Sequence, residues 1–142
     1  MAGAQRTISV ERLLGDMDEQ TFDLSRSRVF RMEDMAAYKN PNGSESWNVL
    51  YGQLPTGEQI ALHVSMQPAG TPPNPAHRIE HTEIICLREG SLDFQHDGAT
   101  EHATAGDVLF VAKGTMHGVR NVGAGAAAYL VLAIGGDVNQ PK

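Results

Sequence analysis

The sequence predicts an all-β fold: a single small antiparallel β-barrel preceded by an N-terminal arm or short helix. Three observations predict it. From Arg28 onward, short apolar runs recur between turn signals. Those signals are explicit: Asn40-Pro-Asn-Gly43, Pro55-Thr-Gly57, Asp97-Gly98, Ala105-Gly106 and Lys113-Gly114. The 142 residues carry no internal repeat, so one core and one barrel are expected.

Residues 1–26 read as a weakly structured arm. Ile8, Val10, Leu13, Leu14 and Met17 have rough helical spacing, and Ser9 is placed to cap a short amphipathic helix. Residues 27–136 form the barrel and 137–142 a tail. The candidate strands are Arg28 to Met32, Trp47 to Leu54, Gln59 to Met66, Glu83 to Glu89, Ser91 to His96, Asp107 to Ala112, His117 to Val122 and Ala127 to Ile134. Asp97-Gly98 suits a two-residue hairpin turn, because both residues tolerate positive φ. Pro68 to Ala76 holds four prolines and reads as a stiff loop leading into His77. Closing such strands into a barrel removes exposed edges and lets alternate residues line a cavity.

A net charge of -6, with 11 Lys and Arg scattered along the chain, argues against nucleic acid or an anionic membrane as partner. No apolar run approaches the ~20 residues that span a bilayer. Nothing after Met1 reads as a signal peptide, and the single Cys86 excludes an intrachain disulfide. A cytoplasmic protein is expected. Cys86 reads as a small buried hydrophobe.

The chemistry concentrates in two segments. In His77-Arg-Ile-Glu-His81-Thr-Glu83, the residues His77, Ile79, His81 and Glu83 share one parity, and Ile85 and Leu87 continue that face as an apolar floor. In the second, His117, Val119 and Asn121 share parity. Imidazole and carboxylate converging from separate strands suit first-row divalent metals. Around this cluster, His63 is expected on the outer face, opposite Leu62, Val64 and Met66. His96 and His102 are expected in solvent. Met66, Phe94, Leu109 and Phe110 are expected in the core, and Asn121 at a strand end as a backbone anchor. Trp47, Tyr51 and Tyr129 are expected to pack rather than to line the cavity.

At these residues the chain resembles a small single-domain cupin. The second cupin motif, G-x5-P-x-G-x2-H-x3-N, is matched by Gly106, Gly114, His117 and Asn121, with Ala112 in place of Pro. The first, H-x-H-x3-E-x6-G, is matched by His77, Glu83 and Gly90, with Ile79 in place of the second His. Arg78, His81, Glu83 and Arg88-Glu-Gly90 also fit a bacterial variant reading P-H-R-H-P-H-E-E. The resemblance covers roughly Val49 to Ile134 and implies a jelly-roll barrel. It also implies a divalent transition metal (iron, manganese, zinc, nickel or copper) on His77, Glu83 and His117, with His81 as a possible fourth ligand.

Two functions follow as expectations. One is a metal-dependent small-molecule enzyme, with dioxygenase chemistry first and isomerase or lyase activity also open. The other is a non-catalytic cupin that binds a small organic ligand with a weakened or absent metal site, motivated by Ile79. A metal-free acid/base site on Glu83 is a third arrangement of the same residues. No catalytic residue is assigned. A homodimer is expected, since cupins commonly pair.

Overall fold

A computed structural model describes residues 22–138. The arm expected over residues 1–26 lies outside them apart from its last five residues, and so does the tail beyond Val138. Among the described residues, ten strands form two antiparallel sheets. They are β1 (Ala37–Lys39), β2 (Glu45–Gln53), β3 (Gln59–Gln67), β4 (His77–Arg78), β5 (Thr82–Glu89), β6 (Ser91–His96), β7 (Ala99–Thr104), β8 (Val108–Val111), β9 (Met116–Asn121) and β10 (Ala127–Ile134). The six-stranded sheet runs β1-β2-β3-β10-β5-β8, and the four-stranded sheet runs β4-β9-β6-β7. The two sheets face each other as a jelly-roll barrel.

Three expectations change. Arg28 to Met32 is not a strand. Met32–Asp34 forms a 3-10 turn instead. Arg28 of that stretch is used locally, with its guanidinium 4.3 Å from the Phe30 ring centre and Phe30 edge-on to Phe22. The second change is an added strand, β7, paired along its whole length with β6. Apolar alternation is weak in β7 because the strand is mostly exposed, Glu101 and His102 included. The hairpin itself is as expected: Asp97 takes φ 51° and Gly98 φ 77°.

The third change reverses β3. Ala61, Ser65 and Gln67 are buried, whereas Leu62, Val64 and Met66 are only partly covered on the outer side of the sheet. Apolar parity therefore does not mark the interior of this strand. On the inner face, three rows cross β3, β10 and β5: Ser65–Tyr129–Leu87, His63–Val131–Ile85 and Ala61–Ala133–Glu83. Polar groups enter the barrel in these rows at Ser65 and His63 of β3, Glu83 of β5 and the Tyr129 hydroxyl of β10.

The core takes in part of these rows. Ile79, Ile85, Leu87, Leu92, Phe94 and Leu109 pack there with Val111, Ala127, Tyr129 and Val131. Leu92 and Val111 are fully enclosed at 0% exposure. Phe94 and Leu109 are core as expected, but Phe110 points outward at 62% exposure and Met66 lies on the outer face. Trp47 and Tyr51 are buried and do not line the cavity. Cys86 lies on the outer face with Ile84, and Asn121 anchors its strand end by donating from Nδ2 to the Gln67 and Gly125 carbonyls.

Gly90 makes the β5–β6 turn at φ 83°, and a Cβ there would lie 2.5 Å from the Ala126 carbonyl oxygen. Gly114 has nearly the same φ, 85°, with nothing within 4 Å. Both Gly→Ala changes therefore carry the same backbone strain of about 1–2 kcal/mol, and only Gly90→Ala adds a backbone clash. Urea unfolding should show Gly90→Ala less stable than Gly114→Ala by at least ~1 kcal/mol. Equal losses would mean that the close approach to Ala126 is not a constraint.

Candidate functional site

The run from His77 to Glu83 is not one extended strand. β4 belongs to the smaller sheet and β5 to the larger, and Ile79 to His81 form the crossing between them. Shared parity along the run therefore fails at the crossing. His77 pairs in register with His117 on β9, and their ring centres are 4.6 Å apart. Glu83 arrives from the other sheet with its Oε1 3.7 Å from His117 Nε2. Ile79 turns away into the core at 5% exposure and does not line the cavity.

His81 is held apart from this group. Its Nδ1–H donates to Asp137 Oδ1 at 2.6 Å, and its Nε2–H donates to Glu83 Oε2 at 2.9 Å. Both partners are carboxylates, so both ring nitrogens are engaged by acidic groups. Asp137 sits in the segment read from sequence as a tail, so its part in the site was missed. The sequence did carry a signal for it, the pair Gly135-Gly136. A Cβ on Gly136 would fall 1.6 Å from the Glu80 carbonyl oxygen. Only glycine permits this approach, and the approach brings the next residue to His81.

Burial alone would raise the Glu83 pKa. The neighbouring His117 and His81 outweigh it and hold the carboxyl at about 2. His81 is raised, first by its bond to Glu83. Burial, then the nearby His117, keeps His77 below the ordinary histidine value. His77 is thus a neutral ring at the mouth of the site.

The remaining nitrogens are ordered by the backbone. His117 Nδ1 lies 3.3 Å from the Thr115 carbonyl oxygen, which only accepts, so Nδ1 carries a proton and Nε2 is the nitrogen turned to the Glu83 carboxylate. His77 likewise hydrogen-bonds the backbone at Pro75. Imidazoles tied by one nitrogen to a main-chain carbonyl, beside a carboxylate that is itself hydrogen-bonded, are the outer-shell pattern of metal sites. Among the described residues, however, no three His, Cys, Asp or Glu side chains already stand in a metal-holding cluster. The donor types and their outer partners suit a divalent ion, and the donors would have to draw together around it.

His77, Glu83 and His117 line one cavity of about 270 Å³. Asn74 and Pro75 of the proline-rich loop stand at the same cavity, as expected for its mouth. Its other lining includes Tyr38, Ser46, His63, Ser65, Gln67 and Tyr129. The sequence reading placed His63 outside and Tyr129 in packing, and the structure puts both on the cavity. His102 is exposed and donates to Asp93, while His96, the register partner of His117 across β6 and β9, is bonded to Asp97 and Glu101 and does not line the cavity.

The sequence model of the cupin domain matches residues 62–133. Curated protein sequences give no match. Several solved structures share the fold. A predicted oxalate decarboxylase from Thermotoga maritima aligns at 19% identity and TM-score 0.61, covering 75% of this chain and 98% of its own. An RmlC-like cupin from Shewanella frigidimarina aligns at 16% identity and TM-score 0.65, covering 79% and 94%. The polyketide cyclase RemF from Streptomyces resistomycificus aligns at 21% identity and TM-score 0.58, covering 77% and 79%. At these identities the likeness speaks for the fold alone. No helix among the described residues is long and apolar enough to cross a membrane.

The Asp137–His81–Glu83 chain fixes a pH dependence for the chelator-stripped protein. Glu83, lowered from 4.5 to about 2, adds stability that is present above pH 4.5 and is lost as pH falls toward 2. His81, raised from 6.5, adds stability that is present below pH 6.5 and is lost as pH rises through its folded-state value. The two report the same contact and are not summed; its ceiling is about 3 kcal/mol. Urea unfolding from pH 5 to pH 9 should show His81→Gln less stable than wild type at pH 5.5, with the difference shrinking above pH 6.5. A difference that stays constant across this range would contradict the doubly paired imidazolium.

Proposed function

This chain belongs to the cupin domain family, and we propose that it is a small-molecule enzyme whose barrel cavity takes a divalent cation on His77, Glu83 and His117. One observation carries the reading. His117 Nε2 and Glu83 Oε1 face each other at 3.7 Å, too far for a hydrogen bond, with Nδ1 committed to the Thr115 carbonyl. Across that gap a cation that displaces the Nε2 proton would take a lone pair from each. The third donor, His77, stands against the same imidazole.

The protein's own groups then have distinct tasks. His81, held by Asp137, keeps Glu83 charged and fixes the orientation of its carboxylate through Oε2. The backbone carbonyl of Thr115 sets the tautomer of His117. Ile85, Val119 and Val131 make part of the wall apolar, which lowers the local dielectric around the donors. A divalent cation held by three protein donors keeps positions open for substrate and supplies a Lewis acid that polarises a substrate oxygen. The two imidazoles and one carboxylate also match the donor set of oxygen-using iron sites, so dioxygenase chemistry stands first within this reading.

A second reading is favoured by a different observation: no three donors are already clustered among the described residues. In it the cavity binds an organic ligand without a metal and without turnover. Cobalt(II) titration of the chelator-stripped protein, followed by its visible absorption, separates the two. The enzyme reading expects about one ion per chain, a loss of at least ~10-fold in affinity for Glu83→Gln and His117→Ala, and a loss of about 10-fold or more for His81→Gln. No uptake by the wild type, or uptake unchanged in Glu83→Gln and His117→Ala, would leave the ligand-binding reading in its place.

A further inference from the structure

The donors occupy only part of the cavity. A second wall, built from β1, β2, β3 and β10, carries Tyr38, Ser46, His63, Ser65 and Tyr129. These groups are ordered before any ligand arrives. Ser46 Oγ and Ser65 Oγ are 2.8 Å apart, and Asn40 donates to Ser46 Oγ at 3.1 Å. Gln67 donates to the Tyr129 hydroxyl at 2.9 Å and accepts from the Asn121 N–H at 3.2 Å. The chain of bonds ties the wall to a buried strand end, so its hydroxyls have fixed positions.

His63 is the exception on this wall. Its ring forms no hydrogen bond with another described residue, yet it lines the cavity in the row His63–Val131–Ile85. Burial lowers its pKa, so the ring is neutral and offers one donor and one acceptor. That is the complement of a hydroxyl group. Among the described residues no Lys or Arg lines the cavity, so a carboxylate or phosphate entering here would lose its hydration without meeting a counter-charge. A cation is no better served by this wall, because none of Tyr38, Ser46, His63, Ser65 and Tyr129 carries a carboxylate. The volume of about 270 Å³ lies just below the usual range for ligand pockets, about 300–1,000 Å³, and suits a molecule of monosaccharide size.

We propose that the His63, Ser65, Ser46 and Tyr129 wall is a subsite for a neutral, hydroxyl-rich molecule of monosaccharide size, with His63 contacting a ligand hydroxyl. Ile85, Val119 and Val131 meet the C–H face of such a molecule while the wall meets its hydroxyls. The inference deepens the enzyme reading by naming a substrate class. It rests on that reading only in taking the barrel cavity as the place where ligand binds.

The test uses the chelator-stripped full chain, because a bound cation would attract carboxylates on its own account. Dissociation constants are measured by ligand-observed NMR for neutral hexoses and hexitols and for the uronic and aldonic acids that match them. At least one neutral compound should bind, with its matching acid bound at least ~10-fold more weakly. His63→Phe should weaken the neutral compound by about 10-fold or more, and His63→Gln, which keeps a donor and an acceptor, by only a few-fold. An acid that binds as well as its neutral counterpart would overturn the proposal. So would the absence of binding by every neutral compound, or unchanged binding by a folded His63→Phe variant. The cobalt titration is independent: loss of cobalt uptake with the neutral preference intact removes only the metal, and the converse removes only this subsite.

Discussion

The site depends on the carboxylate of Glu83. It stands in a barrel interior, where an unpaired charge is costly. One oxygen receives the His81 N–H at 2.9 Å, and His81 is backed by Asp137 at 2.6 Å. The other oxygen faces His117 Nε2 at 3.7 Å, beyond hydrogen-bond distance. The carboxylate is thus bonded on one side and open on the other, and the open side is where the proposed cation would sit. The other features of the site serve this condition. Gly136 permits the close approach that brings Asp137 in, and the Thr115 carbonyl fixes the His117 tautomer.

The barrel supplies the convergence. β4 and β9 carry His77 and His117 in the smaller sheet, and β5 carries Glu83 in the larger. The chain passes between the sheets at Ile79 to His81, so residues that look collinear in sequence end in three places. Ile79 joins the core, His81 becomes the support for Glu83, and His77 reaches the cavity. The position that would carry a second imidazole in the cupin motif thus contributes packing. His81 is bonded through both ring nitrogens, to Asp137 and to Glu83.

Much of this was legible in the sequence. The glycine-spaced segment ending in His117 and Asn121 marked β8 and β9, and Asp97-Gly98 marked the β6–β7 turn. His77, Glu83 and His117 were legible as a group because the motif spacing encodes the strand pairing that unites them. The failures have physical causes. Reading parity through residues 77–83 assumed one strand, and a crossing between sheets leaves no mark in a period-two pattern. On β3 the apolar residues Leu62, Val64 and Met66 lie on the outer face, so hydrophobicity pointed the wrong way and His63 was put outside. β7 was missed because an exposed strand needs no apolar alternation. Asp137 was missed because contact with His81, 56 residues earlier, is a tertiary fact signalled only by Gly135-Gly136.

The cupin barrel hosts many chemistries, and the structures that share it here agree in fold at low identity. The function proposed for this chain rests on the facing of His117 and Glu83 and on the support beneath Glu83. The most direct measurement is anomalous scattering at the cobalt edge from crystals of stripped protein soaked in cobalt(II). The account predicts one peak between His117 Nε2 and Glu83 Oε1, at about 2.0–2.2 Å from each and within reach of His77, with the His81–Glu83 bond retained. A cavity without a peak, in which His117 and Glu83 close to a direct hydrogen bond, would contradict it.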